Sequence, residues 1–597
     1  MVMHAPRAAA LVAFGAIAFA ATPKYTHPVA PRKSIAASAQ AWARALPLRD
    51  KAAQLIMPSI YGELKNTRSA DYRRYTHYVH DLRVGGIIVL GHSVHGRIIN
   101  AEPVAMAALI NRLQKMARTP LLVGADFERG ASMRVDSTTA WPQNMAFGAA
   151  GDLDAARMEG AETARESRAL GVTWVFAPVA DVNNNPQNPI INTRSYGEDP
   201  QAVARLVVAY INGAHSDRKH PVLVTAKHFP GHGDTSEDSH LGLPRLDVAR
   251  ARLDAVELVP FRAAIGAGVD AVMSAHIAVP ALDASDVPST VSAPVLSGLL
   301  RGELGFRGIV VTDALDMLGV AQLYEPGEAA VRAIEAGADV LLVPGDCQRA
   351  INGIVAAIKS GRITRKRVDE SVARVLEAKI RLGLTRRRTV NLEHISDVLA
   401  SPEAEETAQR VADGALTLVR NKDSLFPLRD PSTACVAILT ESRDSQHGRT
   451  LTAELKKRAP AMAVITLDPS VPFAELSRIA ESMSGCSANV LVPWVTVGAY
   501  KGSVALREPY PAFVTTLASG KAPVAIIAFG SPYVIGGLTN IAAYMATFST
   551  TTTSEESVAR VLFGEIPVTG HLPVSIPGVA RVGEGIRISA VSRKPPQ

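Results

Sequence analysis

The 597-residue chain contains only three cysteines, Cys347, Cys435 and Cys486, and none belongs to a CxxC or Cys/His spacing. A disulfide scaffold and a zinc site of the usual spacing are therefore excluded as the basis of the fold. Buried free thiols are the preferred interpretation. A bridge between Cys435 and Cys486 is an open alternative, because both fall in the C-terminal region.

The chain also lacks any block of five or six like charges, and 63 Lys and Arg against 56 Asp and Glu leave a net charge of only +7. A nucleic-acid-binding arm is therefore not expected. Neither GxGxxG nor GxxxxGK[ST] occurs, so no motif indicates nucleotide binding. Hydrophobic residues make up 47% of the chain, enough for a large core, which excludes global disorder.

Long apolar stretches are missing as well, because no run beyond the first twenty residues reaches 18 without charges or turn formers. We therefore expect no membrane span in the mature chain. Residues 8–20 form an uncharged run, too short for a bilayer, that ends in Ala18-Phe19-Ala20, a small-x-small cleavage pattern. The prediction is a signal peptide over residues 1–20 and export to the periplasm or the medium, with an uncleaved anchor as the alternative.

Eight short apolar runs alternate with amphipathic helical stretches in the first two thirds of the chain. Continuous apolar strands between helices are typical of a buried parallel sheet, and eight units in this length favour a (β/α)8 barrel of the TIM type. The runs are residues 54–60, 86–90, 121–126, 174–180, 222–228, 271–276, 309–313 and 338–343.

The pattern changes near residue 390, where a second α/β domain is predicted. A helix start signal at Ser401-Pro402-Glu403 is followed by six further apolar runs that alternate with helices, which predicts a smaller parallel sheet. The expected organisation is a Pro-, Ala- and Thr-rich linker at residues 21–39, the barrel at 40–390 and an αβα sandwich at 391–597.

Polar side chains stand at the carboxyl ends of five of the eight barrel runs. In a TIM-type barrel this edge carries the active site, so five polar residues at the same end of their strands indicate a functional site. They are Asp126, Asp181, the pair Lys227-His228, His276 and Asp313.

The strongest single motif is residues 227–240, KHFPGHGDTSEDSH, a strand end followed by a loop broken by glycine and proline. Asp238 and His240 are two residues apart, so an extended loop turns both to one side. A carboxylate beside an imidazole favours proton transfer near neutral pH. Two alternatives stay open: a metal site made from His232, Asp234, Asp238 and His240, and a purely structural loop clamp.

Three other segments place charges beyond a strand. Asp313 follows a β-branched run and is suited to nucleophilic attack, with a helix cap as the alternative role. The segments around Asp126, with Arg134, and around Arg194 are suited to binding sugar hydroxyls through charge-assisted hydrogen bonds.

The sequence resembles the β-N-acetylglucosaminidase branch of glycoside hydrolase family three. The resemblance rests on residues 227–240 and on the motifs FAPVADV from Phe176, RSYG from Arg194, MSAH from Met273 and TDALDM from Thr312, all in the family's order. It is dense over about residues 45–390 and looser beyond. Arg129 is a departure, since the simplest family form has a glycine there.

The resemblance implies a retaining exo-hydrolase that needs no cofactor and no metal and acts on oligosaccharides containing N-acetylglucosamine. Asp313 matches the nucleophile, His240 the acid/base and Asp238 its partner. Substrate-binding positions are matched by Asp126, Arg134, Arg194, Lys227 and His228. Alternatives are a β-N-acetylglucosaminide phosphorylase, a β-glucosidase or xylosidase of the same family, and a non-catalytic sugar-binding protein.

Overall fold

A computed structural model describes residues 32–94 and 97–591. The predicted signal peptide lies outside these residues. Helix α1 (Arg32–Ala45) occupies the end of the segment expected to be a linker, and Ala39 and Ala43, one turn apart, are buried on its inner side. Within the described part of the chain no helix is both long and apolar enough to cross a bilayer.

The first domain contains a parallel β-barrel. Strands β2, β3, β6, β7, β8, β9 and β10 pair in that order, and β1 pairs with β11. The strands are β1 (Ile56–Met57), β2 (Ser59–Tyr61), β3 (Gly86–Leu90), the hairpin β4 (His92–Val94) and β5 (Arg97–Ile99), β6 (Leu122–Ala125), β7 (Trp174–Val175), β8 (Leu223–Phe229), β9 (Ala271–Ser274), β10 (Ile309–Thr312) and β11 (Leu341–Leu342).

The ring of strands is closed by the last predicted run. On one side Val340 forms a bridge to Val311 of β10, and on the other the Leu341 N–H donates to the Leu55 carbonyl at 2.8 Å. All eight predicted runs therefore contribute to one barrel, and the predicted fold class is confirmed. The first run is divided between β1 and β2, which pair with different neighbours.

Helices surround the barrel because each presents one apolar face to it. Their starts carry side-chain caps where the sequence offers Asp or Thr, as at Asp152, Asp346 and Thr364. They are α2 (Leu48–Ala53), α3 (Ala70–Thr76), α4 (Pro103–Met116), α5 (Asn144–Ala150), α6 (Leu153–Leu170), α7 (Pro200–Ala214), α8 (Arg250–Ala255), α9 (Leu258–Gly266), α10 (Leu318–Ala321), α11 (Pro326–Ala336), α12 (Cys347–Lys359) and α13 (Arg365–Arg381), with π-helical turns at His77–Leu82 and Pro294–Glu303.

The second domain is a six-stranded sheet with helices on both faces, in the order β14-β13-β15-β16-β17-β12. Its elements are α14 (Pro402–Ala415), β12 (Thr417–Asn421), β13 (Cys435–Leu439), α15 (Arg449–Arg458), β14 (Ala463–Leu467), α16 (Phe473–Met483), β15 (Asn489–Val495), α17 (Tyr510–Ala518), β16 (Val524–Gly530), β17 (Ile541–Ala546) and α18 (Thr552–Leu562). The sheet is not wholly parallel as predicted. Strand β12 runs antiparallel to β17 at the edge of the sheet, where an otherwise parallel α/β sheet commonly carries an antiparallel strand.

The two faces of this sheet belong to different cores. Along β13, Ala437 and Leu439 join the core that is continuous with the barrel, whereas Val436 and Ile438 join a separate core under α15 and α18. This alternation follows from the two-residue period of a strand. The barrel and one face of the second sheet are thus packed as one body.

The expectation of free thiols is wrong for two of the three cysteines. Cys435 and Cys486 form a disulfide with their Cα atoms 5.8 Å apart, and Cys347 is the buried free thiol. Cys435 begins β13, and Cys486 lies just before β15. The first residue of β15, Asn489, pairs with Cys435. This adjacency depends on the strand order of the sheet, which spacing along the chain does not show.

Candidate active site

The polar residues predicted at strand ends do meet at one edge of the barrel. Asp126 follows β6, Lys227 and His228 lie near the end of β8, and Asp313 follows β10. Because the strands are parallel neighbours, their carboxyl ends open into the same space. The second domain contacts the barrel through the two hydrogen bonds between Gln143 and Thr550.

Lys227 is the centre of a buried charge network. Its Nζ lies 2.9 Å from Oδ1 of Asp126 and 2.7 Å from Oε1 of Glu128. Arg194 donates two hydrogen bonds to Glu128, at 2.7 and 2.8 Å. Burial opposes the charge of Lys227, but the carboxylates of Asp126 and Glu128 outweigh it and raise its pKa. The lysine therefore stays a cation.

Asp126 keeps part of its bonding capacity for a ligand. Arg134 places Nη2 3.8 Å from Oδ2 of Asp126, beyond hydrogen-bond distance, and among the described residues the buried Nε of Arg134 finds no partner. Two groups with unused donors and acceptors side by side are what a polyhydroxylated ligand requires.

Glu128 is a site residue to which sequence reasoning assigned no role. Burial works against its ionisation, but Arg194 and Lys227 hold its pKa well below the usual range. Its position two residues after Asp126 was the available signal, since residues two apart in an extended segment point the same way.

His228 is held by the buried carboxylate of Asp181, for which the sequence predicts no individual role. Its Nδ1 lies 2.7 Å from Oδ2 of Asp181, which also accepts the backbone N–H groups of His228 and His232. Burial raises the pKa of Asp181, but the two imidazoles and the N–H of His232 lower it by more, so its pKa lies below the usual value. Asp181 therefore fixes both the ring of His228 and the start of the following loop.

His232 shapes the loop rather than facing a ligand. Its ring nitrogens lie 2.7 Å from Oγ1 of Thr235 and 3.1 Å from Oγ of Ser239, and burial lowers its pKa to about 4. Asp234 pairs instead with Arg252 at 3.2 Å. His232 and Asp234, two of the four residues of the metal alternative, thus turn to other protein groups, and in the described ranges no three His, Cys, Asp or Glu residues are grouped to hold an ion.

Asp313 is placed by the backbone of the barrel. Its N–H donates to the Ser274 carbonyl at 3.2 Å, and its Oδ1 accepts the N–H of Ala314 at 2.8 Å. Burial raises the pKa of Asp313, but His228, His276 and the N–H of Ala314 outweigh this and lower it, with a smaller contribution from His240. Asp313 is thus held as a carboxylate.

The pair predicted from the loop motif is formed. Nδ1 of His240 lies 2.7 Å from Oδ1 of Asp238, and the same oxygen accepts the His240 N–H at 2.9 Å. Oδ2 of Asp238 accepts the N–H of Tyr500, from the second domain, at 2.9 Å. Burial opposes ionisation of Asp238, but these hydrogen bonds lower its pKa. Within the described structure Nε2 of His240 has no hydrogen-bond partner, so it is available to a ligand.

Two other titratable residues near this edge, His276 and Glu237, are unsuited to donate a proton to a ligand. Both ring nitrogens of His276 are engaged, at 2.8 Å from Oγ1 of Thr290 and 2.8 Å from the Ala314 carbonyl. Glu237 is exposed on the loop, while its neighbour Asp238 points inward. The geometry therefore favours His240 over both.

Comparison with known proteins identifies the family. The model of the glycosyl hydrolase family 3 N-terminal domain matches residues 47–378. A β-N-acetylglucosaminidase/β-glucosidase of Cellulomonas fimi is 31% identical over 526 residues, which cover 83% of this chain and 91% of that protein. The chain belongs to glycosyl hydrolase family 3. The predicted membership is confirmed.

Solved structures agree with the two-domain architecture. A β-N-acetylglucosaminidase from Paenibacillus sp. strain FPU-7 has a TM-score of 0.79 at 35% identity and covers 90% of this chain and 100% of its own. A β-glucoside phosphorylase has a TM-score of 0.80 at 25% identity and covers 91% of this chain and 96% of its own. Both alignments extend over barrel and second domain alike.

Within this family 3 chain, the predicted roles of the site residues stay predictions, whereas their positions are now known. Asp126, Lys227, Arg194, His228, Asp238, His240 and Asp313 are brought to one edge of the barrel, with Arg134 beside Asp126. Tyr500 is the contact that the sequence could not signal, because it lies 262 residues from Asp238 and outside any motif.

Proposed function

We propose that the protein is a retaining, exo-acting β-N-acetylglucosaminidase that releases terminal N-acetylglucosamine from cell-wall or chitin-type oligosaccharides. The observation that carries this proposal is the Asp238–His240 pair with a free Nε2, within electrostatic reach of the carboxylate of Asp313. In this proposal Asp313, directly after β10, is the nucleophile, and His240, on the loop after β8, is the proton donor. Double displacement requires these two groups.

In the first step a lone pair on the carboxylate of Asp313 attacks the anomeric carbon while the glycosidic C–O bond breaks. His240 gives its Nε2 proton to the departing oxygen, and the product is a covalent glycosyl-enzyme. The low pKa of Asp313 keeps the nucleophile ionised, and Asp238 stabilises the imidazolium that must donate.

In the second step water attacks the same carbon from the face that the leaving group vacated. His240, now neutral, takes a proton from that water at Nε2, and the bond to Asp313 breaks. Two inversions return the original configuration. The atoms balance with water alone, so the reaction as proposed requires neither a cofactor nor a metal ion, and EDTA is expected to leave the rate unchanged.

The remaining site residues are proposed to hold the terminal sugar. Lys227 and Arg194 are cations whose positions are fixed by Glu128, and Asp126 has acceptor capacity left beside Arg134. His228 places Nε2 3.2 Å from Nη2 of Arg194, at the same edge. Charged donors and acceptors held rigidly in this way distinguish hydroxyl positions on a sugar ring.

A second candidate, a β-N-acetylglucosaminide phosphorylase, is favoured by one feature. An imidazole repels an anionic acceptor less than a carboxylate does, so phosphate can replace water in the second step. The likeness to a β-glucoside phosphorylase structure agrees with this candidate at the level of architecture. Product analysis with and without phosphate decides: sugar-1-phosphate identifies a phosphorylase, and free sugar in both buffers identifies a hydrolase.

A panel of nitrophenyl glycosides tests the sugar preference. We expect turnover of the N-acetylglucosaminide well above that of the glucoside and the xyloside. A preference for either of the latter identifies a β-glucosidase or xylosidase instead. Absence of turnover on all three contradicts an enzymatic role and leaves a sugar-binding protein.

The site of action is proposed to be the periplasm or the medium. The short apolar run at residues 8–20 supports this, and so does the Cys435–Cys486 disulfide, since disulfides persist in oxidising compartments. Fractionation of expressing cells, with N-terminal sequencing of the product, tests both export and cleavage near Ala21.

A further inference from the structure

A turn of the barrel beside the proposed sugar site carries an arginine without a partner. Arg129 is half-buried at the tip of the turn between Glu128 and Gly130, and in the described part of the chain its guanidinium forms no hydrogen bond or ion pair. Burial and the charge of Arg134 lower its pKa to about 10, with Glu128 opposing them, so Arg129 is a cation at neutral pH. The simplest form of the family has a glycine here, so this cation is a feature of this chain.

The carboxylates on this side of the site are largely in use. Both oxygens of Glu128 accept hydrogen bonds from Arg194, and Lys227 also pairs with Oε1. Oδ1 of Asp126 pairs with Lys227, and only Oδ2 stays open, 3.8 Å from Nη2 of Arg134. The positive charge of the turn is therefore left without a matching carboxylate.

Donors without acceptors lie around the same turn. Among the described residues, the buried Nε of Arg134 and the buried indole Nε1 of Trp141 have no hydrogen-bond partner. Trp141 packs directly on the turn, because a Cβ added at Gly130 would lie 2.5 Å from its Cδ1 and 3.3 Å from its Nε1. Buried N–H groups are normally satisfied, so two unsatisfied donors beside a cation indicate a place for an acceptor.

The second domain adds further donors on its side of the turn. Burial lowers the pKa of His447, and the charge of Arg129 contributes, so the two side chains lie within electrostatic reach and the imidazole is neutral. The ring of His447 stacks on Trp494, with centroids 5.8 Å apart, and the buried Nε1 of Trp494 has no partner among the described residues. Cations and N–H donors with no acceptor between them are suited to an oxyanion.

The barrel determines which part of a substrate reaches this turn. Asp126 ends the third of the eight barrel runs and Asp313 ends the seventh, so they stand on opposite sides of the ring of strands. In the proposed reaction the anomeric carbon lies at Asp313. The opposite edge of the terminal sugar, with carbons 4 and 6, then lies toward Asp126 and the turn of Arg129. A group bound at the turn therefore belongs to the terminal sugar, not to the leaving group.

We propose that Arg129, together with Nε of Arg134, binds an anionic ester on carbon 6 of the terminal sugar, so that the enzyme accepts N-acetylglucosamine that carries sulfate or phosphate. This rests on the proposed function, because it names the substrate class of the same site. Carbon 6 is assigned because its oxygen is exocyclic and extends farthest from the ring. Sulfate and phosphate present the same tetrahedral oxyanion, which a guanidinium binds through paired hydrogen bonds.

The test compares three methylumbelliferyl N-acetylglucosaminides: the unsubstituted glycoside, its 6-sulfate and its 6-phosphate. They share one leaving group and differ only at carbon 6. Arg129→Gln removes the charge, and Arg129→Lys keeps the charge but not the planar fork. Arg449→Gln is the matched control, since Arg449 is an exposed arginine two residues beyond His447, at the start of α15.

We expect the wild type to hydrolyse at least one ester with a kcat/KM no lower than that of the unsubstituted glycoside. Arg129→Gln should lower the ratio of the two kcat/KM values, ester to unsubstituted, by about 10–100-fold, as for a lost charge-assisted hydrogen bond. Arg129→Lys should give an intermediate ratio, and Arg449→Gln the wild-type ratio. The ester with the larger Arg129-dependent loss identifies the substituent.

Three results overturn the anion site: an unchanged ratio in Arg129→Gln, an equal fall in Arg449→Gln, or a wild type that rejects both esters. In each case turnover of the unsubstituted glycoside still supports the proposed function. A wild type inactive on all three substrates overturns both proposals.

Discussion

The two proposed catalytic groups are positioned by different means. Asp313 follows β10 directly, and its place in the barrel is set by two hydrogen bonds, from its N–H to the Ser274 carbonyl and from the Ala314 N–H to its Oδ1. His240 lies at the far end of a loop, where its position depends on Asp238 and, through it, on Tyr500 of the second domain. The barrel alone builds the site of attack, whereas the site of proton transfer is built where the two domains meet.

This difference has a consequence for how the two functions fail. A residue at a strand end changes position only if the sheet does, so a substitution of Asp313 removes the reacting group without displacing the site around it. A loop held by side-chain hydrogen bonds loses precision when any one contact is removed. Changes around His240 should therefore be graded and depend on the leaving group, while changes at Asp313 should be complete.

The largest effect is expected for Asp313→Asn. The amide cannot form the covalent intermediate, so kcat should fall by several orders of magnitude on every substrate, with the thermal unfolding temperature unchanged. Steady-state rates and a melting curve measure this. If Asp313 were only a helix cap, activity would persist and stability would drop by about 0.5–2 kcal/mol.

His240→Ala should show the graded pattern. Cleavage of the disaccharide should fall by about 10²–10⁴-fold, because a sugar alkoxide needs a proton to depart. The first step with a dinitrophenyl N-acetylglucosaminide should be little affected, since that leaving group departs unaided. Water is also left without its base, so stopped-flow traces should show a burst and then slow turnover. Equal slowing on both substrates without a burst would assign His240 to binding.

Asp238→Ala should follow the same pattern more weakly, about 10–100-fold on the disaccharide, because the imidazole remains but its orientation is lost. The variant also removes the acceptor of the Tyr500 N–H. Comparing the rate losses of Asp238→Ala and His240→Ala on both substrates shows whether the two residues act as a unit. A full loss on the dinitrophenyl substrate would contradict a positioning role.

The sequence predicts the part of the site that depends on the barrel better than the part at the junction. Asp126, Lys227 and Asp313 stand at the ends of apolar runs, and the strands of a TIM-type barrel open at one carboxyl edge, so their common edge could be inferred from periodicity. Tyr500 lies in a loop without a motif, and its contact depends on how two domains pack. The Cys435–Cys486 bridge and the antiparallel β12 depend likewise on strand order within the second sheet, which local pattern does not determine.

The double variant Cys435→Ser/Cys486→Ser tests how much the disulfide contributes to the stability of the second domain. The disulfide closes a loop with a sequence separation of 51 residues, so its loss should destabilise that domain by about 2–4 kcal/mol. Denaturant unfolding with and without reductant measures this. The rate of the first step on the dinitrophenyl substrate should be retained at low temperature, because Asp313 depends on the barrel. Equal stability of the variant and the wild type would show that the bridge contributes nothing.

The smallest expected effect concerns a buried lysine of the barrel. Burial lowers the pKa of Lys379 to about 7, and its Nζ bonds to Oε1 of Gln54 at 2.6 Å. Between pH 7 and about 10.4 the unfolded chain holds a proton that the folded chain has released, so stability should rise with pH in this window. From pH 7 to 9.5 the free energy of unfolding should increase by about 1–3 kcal/mol more in the wild type than in Lys379→Met. Identical slopes would contradict a neutral Lys379.

The covalent intermediate is the most direct test of the account. His240→Ala should be mixed with the dinitrophenyl N-acetylglucosaminide, quenched during the burst and digested, and its peptides weighed by mass spectrometry. We predict one N-acetylglucosaminyl unit on the peptide that contains Asp313, at the level of the burst, and none in the His240→Ala/Asp313→Asn double variant. A burst without an adduct, or an adduct on any other residue, would contradict Asp313 as the nucleophile of a double displacement.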